Sequence, residues 1–370
     1  MIDSEHCKIF GSNSTVIRRL FADIEGGVPF ILWQYNFYCI STVVEFLANN
    51  TLSFLLKLGR AYITITHERA QYLGLKCNDN NALRYFLDNC FCTISNIKKI
   101  AGISYDKYNF DKRKFDIANS LDCQSLDVLR FLRILPSLLS VPITAEDAKN
   151  LQRIYGINKV NIDDVKLYIT EQEKLRLVSK ANIFIKHNDV VHKARLYNFC
   201  FGYLEHQVII VGNPVRSAMP LVRIHSSCYT GDVLQSVLCD CGDQLHHALG
   251  LMTTEEKGGI IFYLNQEGRG IGLFNKLRAY ELQHSGKDTI EANNALGFRS
   301  DERNFNVLKP MFDYLGISQC QLITNNPLKE RALNAMGIKI SQIVPSCFLP
   351  TQYNDSYMEA KIKKMGHLAF

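Results

Sequence analysis

Three cysteines, Cys228, Cys239 and Cys241, form the pattern C-x10-C-x-C inside the most polar, glycine-marked part of the chain. Two cysteines one residue apart face the same ion only if the backbone turns between them. Asp240, followed by Cys241-Gly242, supplies that turn chemistry. Three thiolates leave a tetrahedral Zn²⁺ one open position, which water fills and a substrate can use. A closed structural site needs a fourth ligand, and His225, His246 and His247 are candidates for it. On spacing alone, a structural zinc site or three buried thiols explain the pattern equally well.

Three further clusters carry chemistry. Asn265 to Gly272 reads N-Q-E-G-R-G-I-G between an apolar strand-like run and a helix-like one. Glycines there let backbone N–H groups approach an anion, and Arg269 can grip phosphate oxygens in a bidentate fork. Its G-x-G-x-G spacing is neither a P-loop nor a dinucleotide fingerprint. A second cluster runs from Asp288-Thr289 and Glu291 to Asp301-Glu302-Arg303, placing an acid and a base two residues apart. The last, Thr324-Asn325-Asn326-Pro327-Leu328-Lys329, ends a strand where ligand sites of open α/β sheets lie. Caps, turns and solvated ion pairs account for most of these residues without a ligand.

The elements that must position them fall into two halves. Residues 28–33 and 61–66 read as strands, and Thr66 caps a helix starting at His67-Glu68-Arg69. Apolar spacing predicts a helix within 125–139 that ends near Pro136, and further helices over 144–157 and 161–168. The charged stretch 174–182 lacks strand signal and reads as the junction. Beyond it, strands are expected at 194–201, 205–211, 222–224, 259–264 and 321–324, with helices near 243–253, 272–285 and 302–315. The fold class is therefore α/β (α+β), with mixed α/β domains at 1–175 and 176–370.

Composition bounds the rest. The chain has 370 residues, with 42 Lys+Arg against 36 Asp+Glu, a net charge of +6. With 47% hydrophobic and 21% charged residues it is globular rather than disordered. The positive charge is not gathered into a run, so nucleic acid is not an expected partner. No stretch approaches the roughly 18 uninterrupted apolar residues of a membrane span, and no membrane partner is expected. MIDSEHCKIF lacks the apolar core of a secretory signal, so a reducing cytoplasm is the expectation. Most other cysteines, such as Cys39, Cys90, Cys92 and Cys320, then read as reduced, buried small hydrophobes.

Taken together, the clusters resemble one family. R-I-H-S-S-C-Y-T-G-D (223–232), L-C-D-C-G-D-Q-L (238–245), Q-E-G-R-G-I-G-L (266–273), N-K-L-R-A-Y (275–280), D-T-I-E-A-N (288–293), L-G-F (296–298), D-E-R (301–303), L-I-T-N-N-P (322–327) and K-K-M-G-H (363–367) resemble GTP cyclohydrolase II. The resemblance covers roughly 185–370. It implies hydrolysis of GTP to 2,5-diamino-6-(5-phosphoribosylamino)pyrimidin-4-one, formate and pyrophosphate, the first step towards riboflavin. It makes Cys228, Cys239 and Cys241 zinc ligands and aims activated water at C8 of guanine. Arg223, Ile224, His225, Ser226, Ser227, Gln244, Glu267, Gly268, Arg269, Thr289, Thr324 and Lys329 fall on GTP-contacting positions. Of these, Arg223, Arg269 and Lys329 suit a triphosphate, and Gln244 can read a base edge. Asp301 matches a proton acceptor and Arg303 a nucleophile at the α-phosphorus, for which charge stabilisation is the more conservative role. Tyr280 is expected to assist the metal. Mg²⁺ on the triphosphate and a homodimer are further expectations. Ser227 departs from the family's usual Glu, so a non-catalytic GTP-binding regulator is the alternative.

The first half resembles dihydroxybutanone phosphate synthase in E-G-G-V-P (25–29), V-E-F (44–46), L-G-R-A-Y-I (58–63), T-H-E-R-A-Q-Y-L-G-L (66–75) and G-I-S (102–104). That family needs an acidic loop to hold Mg²⁺ and move protons. Here the place reads W-Q-Y-N-F-Y (33–38), without a carboxylate, Thr64 stands for the cysteine, and Asp122-Cys123-Gln124-Ser125 stands for its Gly-His-Thr-Glu. An inactive domain kept for packing or dimerisation follows.

Overall fold

A computed structural model describes residues 13–75, 81–88, 92–104, 110–172, 174–214, 219–254, 258–349 and 352–355. Cys90 and the 363–367 motif lie outside them. Two compact units emerge: Met1–Glu171 with Phe274–Glu302, and Gln172–Leu273 with Arg303–Phe370. The first unit thus includes a stretch that the sequence reading assigned wholly to the second half.

The first unit begins with α1 (Asn13–Glu25), β1 (Phe30–Gln34), β2 (Phe37–Val43), α2 (Asn49–Leu58), β3 (Tyr62–Ile65) and α3 (His67–Tyr72). It continues through β4 (Leu83–Phe86), α4 (Ile94–Ala101), β5 (Phe115–Ile117), α5 (Ser120–Phe131), β6 (Ser137–Ile143), α6 (Ala145–Tyr155), β7 (Lys159–Asn161) and α7 (Ile162–Gln172). The sheet order is β5-β4-β3-β6-β2-β1-β7, antiparallel except for β1 with β7. The Thr66 cap forms as expected, its hydroxyl accepting from Arg69 N at 3.2 Å. The helix expected within 125–139 needs correction. It stops at Phe131, before Pro136, and the apolar run 137–143 is a buried strand between β2 and β3. A short apolar run does not separate buried strand from helix by period.

The second unit holds β8 (Arg176–His187), β9 (Val190–Phe201), β10 (Leu204–Gly212), β11 (Leu221–Ser226), α8 (Cys241–Thr254) and β12 (Gly258–Leu264). Two helices, α9 (Gly272–His284) and α10 (Thr289–Ala295), precede its returning segment of α11 (Leu308–Leu315), β13 (Gln319–Ile323), α12 (Pro327–Ala335) and β14 (Lys339–Val344). Here too the sequence reading is corrected: 176–187 is a full strand, an edge strand whose outer side is wet and so tolerates charge. The 302–315 helix starts only at Leu308.

The order β14-β13-β11-β12-β10-β9-β8 is parallel from β14 to β12 and antiparallel from β12 to β8. Both faces are covered at β11 and β12, and β12 accordingly reads as a nearly unbroken apolar run, whereas β14 is an exposed edge strand. Val222, Ile224, Ile260, Phe262 and Leu322 pack with Leu308, Phe312 and Leu333 on one face. Ile261 and Ile323 pack with Ala248 and Met252 of α8 on the other. All carboxyl ends of β11, β12 and β13 open onto one edge, because parallel strands share direction.

The stretch 274–302 is fastened within the first unit. Arg69, buried on α3, donates to the carbonyls of Ile100 (2.9 Å), Lys99 (2.7 Å) and Ala295 (2.7 Å). Burial pushes its pKa down to about 10. Thr66 Oγ1 donates to Gly297 O at 2.9 Å, and Arg278 pairs with Glu45 at 2.7 Å. Asp288 and Glu291 close a capping box on α10, so those acids serve the helix start. Replacing Arg69 by Ala leaves buried carbonyls unmet. Urea unfolding is expected to show a loss of at least about 2 kcal/mol, and Lys, a point donor, is expected to recover little of it.

Candidate metal centre

The loop after β11 and the start of α8 bring the three cysteine sulfurs together, all within 4.8 Å of one another. Cys228 and Cys239 Sγ lie 3.7 Å apart. Tetrahedral ligands with bonds of about 2.3 Å require sulfurs about 3.8 Å apart, so the spacing fits a metal of that type. Among the described residues no fourth ligand joins them. His225 bonds Asp232, His247 bonds Ser346 at 3.1 Å, and His246 stacks near His187. Three sulfurs alone would leave a tetrahedral ion one open position.

Local backbone explains how the sulfurs meet. Cys228 starts a single π-turn, Tyr229–Val233, of a kind that recurs at functional sites. Gly231 N donates to Cys228 Sγ at 3.3 Å. A Cβ on Gly231 would lie 3.1 Å from the sulfurs of both Cys228 and Cys239, and one on Gly242 would strike the Gly231 carbonyl oxygen. Close approach requires glycine at 242 and leaves any side chain at 231 tight against two sulfurs. Hydrogen bonding with Cys228 pushes the Cys239 thiol up to about 11 and raises Cys241 well above its ordinary value. These are thiols at neutral pH without a metal, and a cation must displace their protons.

A polar shell surrounds the sulfurs. Arg223 donates to Ile323 O at 3.3 Å and to Gln244 Oε1, and Gln244 Nε2 donates to Asp240 Oδ2 at 2.6 Å. Burial pushes Arg223 down to about 10, which leaves it a cation near Cys241 and Asp240. With both ends of its amide engaged, Gln244 reads a base edge only by exchanging those bonds. Lys329 Nζ donates to Ile224 O at 2.7 Å, and Thr324 Oγ1 accepts from Asn326 N at 3.0 Å. Glu267 accepts from Tyr229 N at 2.6 Å and Gly268 N at 3.0 Å, tying the glycine turn to the cysteine loop. In that turn Gly268, Arg269, Gly270 and Gly272 all have positive φ. For Arg269 this costs conformational energy of the kind that accumulates at binding sites.

Ile224, His225, Ser226, Ser227, Cys228, Glu267, Gly268, Arg269, Thr324 and Lys329 thus share the carboxyl edge of β11, β12 and β13 or the loops leaving it. Tyr280, Thr289 and Asp301 belong to the first compact unit, and Arg303 begins the returning segment of the second. Tyr280 lies under Lys276 Nζ, 5.5 Å from the ring centroid, and Thr289 accepts from Gln283 at 3.1 Å. Two residues escaped the sequence reading. Asp232 was legible only as the end of T-G-D, and Tyr263 sits in an apolar strand that reads as core.

Gly231→Ala is expected to lower Co²⁺ affinity at least ten-fold while leaving the far-ultraviolet circular dichroism unchanged. Loading the protein at pH 7 is expected to release protons, read by calorimetry in buffers of different ionisation enthalpy. Affinity should fall as the pH is lowered.

Comparison with known proteins agrees with this arrangement. The family profile described as GTP cyclohydrolase II matches residues 161–345. A GTP cyclohydrolase-2 of Haemophilus influenzae (strain PittEE) is 45% identical over 195 residues, covering 52% of this chain and 89% of that protein. One from Teredinibacter turnerae is 51% identical over 164 residues, covering 44% and 82%. The riboflavin biosynthesis protein RibBA of Phocaeicola vulgatus is 38% identical over 252 residues, covering 65% of this chain and 61% of that protein. A crystal structure of RibBX, a two-domain 3,4-dihydroxy-2-butanone 4-phosphate synthase from A. baumannii, covers 90% of this chain at 12% identity. Its TM-score of 0.31 is too low to carry an argument about either unit. A profile matching half the chain, and relatives covered over most of their length, establish that the chain belongs to the GTP cyclohydrolase II family.

Proposed function

We propose that the chain hydrolyses GTP to 2,5-diamino-6-(5-phosphoribosylamino)pyrimidin-4-one, formate and pyrophosphate, opening riboflavin biosynthesis. The observation that supports this most is the open trithiolate beside a glycine-rich turn, at the carboxyl edge of parallel strands, in a chain of this family. Cys228, Cys239 and Cys241 would hold Zn²⁺, which would supply Lewis acidity and an activated water for attack at guanine C8.

The chain's own residues do the remaining work. Gly268 and Gly270 let backbone amides approach the triphosphate with its Mg²⁺, and the Arg269 guanidinium forks onto its oxygens. Arg223 offsets the thiolate charge from within the shell. On resemblance, Asp301 accepts a proton, Arg303 stabilises charge on the leaving pyrophosphate and Thr289 contacts the substrate, while Tyr280 assists the metal. A homodimer in the cytoplasm belongs to the same reading.

The first unit is proposed to lack dihydroxybutanone phosphate synthase activity. Tyr35 and Asn36 form a two-residue turn between β1 and β2, too short to present an acidic loop. Asp122, in the stretch that stands for that family's Gly-His-Thr-Glu, is buried, paired with Arg84 and accepting from Tyr62 at 2.9 Å. A carboxylate held this way is not available to a metal.

Incubation with GTP is expected to yield formate and pyrophosphate in equal amounts, and Cys239→Ser to abolish both. Turnover retained in that variant would remove the zinc mechanism. GTP bound without either product would favour the regulatory alternative that Ser227 suggests. Ribulose 5-phosphate is expected to remain unconsumed by the full chain, and its turnover would overturn the proposed inactivity of the first unit.

A further inference from the structure

The buried carboxylate of Asp232, four residues after Cys228, gathers three donors. His225 Nε2 lies 3.1 Å from each of its oxygens. Tyr263 Oη donates to Oδ2 at 2.8 Å, and Cys228 N donates to the same oxygen at 2.9 Å. The side chains of His225 and Asp232 are 2% and 4% exposed, so this network is closed to bulk water. The His225 ring also stacks on Tyr263, with centroids 5.4 Å apart and planes 14° from parallel. Burial and Asp232 push the Tyr263 hydroxyl up, keeping it a donor.

An anion on one ring nitrogen decides the tautomer: Nε2 carries the proton and Nδ1 keeps its lone pair. Nδ1 is buried and has no hydrogen-bond partner among the described residues. Buried polar atoms in native proteins are nearly always satisfied. The missing donor is then expected from a ligand at this strand edge. We propose that Asp232 is a positioning residue that presents His225 Nδ1 as a hydrogen-bond acceptor to the ligand, while the same carboxylate fixes the Cys228 backbone. The ligand group that fits is a planar N–H donor, such as those of a guanine base, and this assignment rests on the nucleotide reading above. Base recognition and metal geometry then share one carboxylate. Asn cannot replace it, since a single carboxamide oxygen serves fewer donors and its NH₂ faces hydrogens.

The test uses the full chain labelled with ¹⁵N-histidine, kept metal-free so that nothing turns over. His225 is assigned among the 10 histidines by a His225→Gln variant. Long-range ¹H–¹⁵N spectra are expected to show it as the Nε2–H tautomer, its Nδ1 resonance moving on addition of GTP. Asp232→Asn is expected to mix the tautomers and weaken GTP binding at least ten-fold. It should still bind one equivalent of Co²⁺ with the thiolate-to-cobalt absorption band. Asp232→Glu is expected to restore the single tautomer. An Nδ1–H tautomer in the unmutated chain, or unchanged tautomer and affinity in Asp232→Asn, overturns the proposal. The unmutated measurement stands even if Asp232→Asn fails to fold. A chain that shows no GTP binding at all removes the nucleotide reading, whereas GTP binding with an Nδ1–H His225 removes this proposal alone.

Discussion

Three sulfurs that repel one another once ionised are held within 4.8 Å, and the surrounding backbone is arranged to tolerate it. Two glycines permit the approach, Gly231 by leaving room against the sulfurs and Gly242 by leaving room against Gly231 itself. Arg223 supplies a buried positive charge, and Asp240 restrains Gln244, which in turn restrains Arg223. Each piece is inexpensive alone, but together they create a trithiolate whose thiols resist ionisation until a cation arrives. A metal site of this kind stores its geometry in the fold and draws its charge balance from the ion.

The sheet of the second unit determines where that site lies. Switching from antiparallel to parallel pairing at β12 aligns the carboxyl ends of β11, β12, β13 and β14. The loops leaving the first three carry the cysteines, the glycine turn and the Thr324–Lys329 segment onto a common edge. The apolar side chains of these strands are consumed by packing on both sides, so most of the polar chemistry lies in the loops, with Arg223 and His225 of β11 and Tyr263 of β12 as the exceptions. Glu267 and Asp232 then lock loop to loop through backbone N–H groups, which fixes side chains that share no sequence neighbourhood.

The first unit follows different physics. Its sheet is intact and its core is apolar, while several of its buried polar groups are tied to one another. Asp122 with Arg84 and Tyr62, and Gln34 with Asp163 at 2.9 Å, satisfy each other internally. Arg69 spends its guanidinium on three carbonyls, one of them 226 residues away in the chain. Such buried, fully used polar groups serve structure. Residues 274–302 are captured by them, although no local signal in that stretch points to the first sheet.

The sequence alone was sufficient for β9 to β13, the Thr66 cap, and the gathering of three cysteines in one polar segment. Period-2 runs, cap residues and thiol chemistry are local properties. It did not determine that 137–143 is a central strand or that 176–187 is an edge strand. An apolar run has no period to read, and an exposed edge tolerates the charge that obscured the pattern. Nor could it separate the roles of neighbouring polar residues. Asp288 proved to cap a helix, Gln244 to brace Arg223, and Asp232 and Tyr263 to hold His225. Residue type and spacing name the chemistry available, but only tertiary packing decides which lone pair or N–H is already used, and therefore which remains for a ligand.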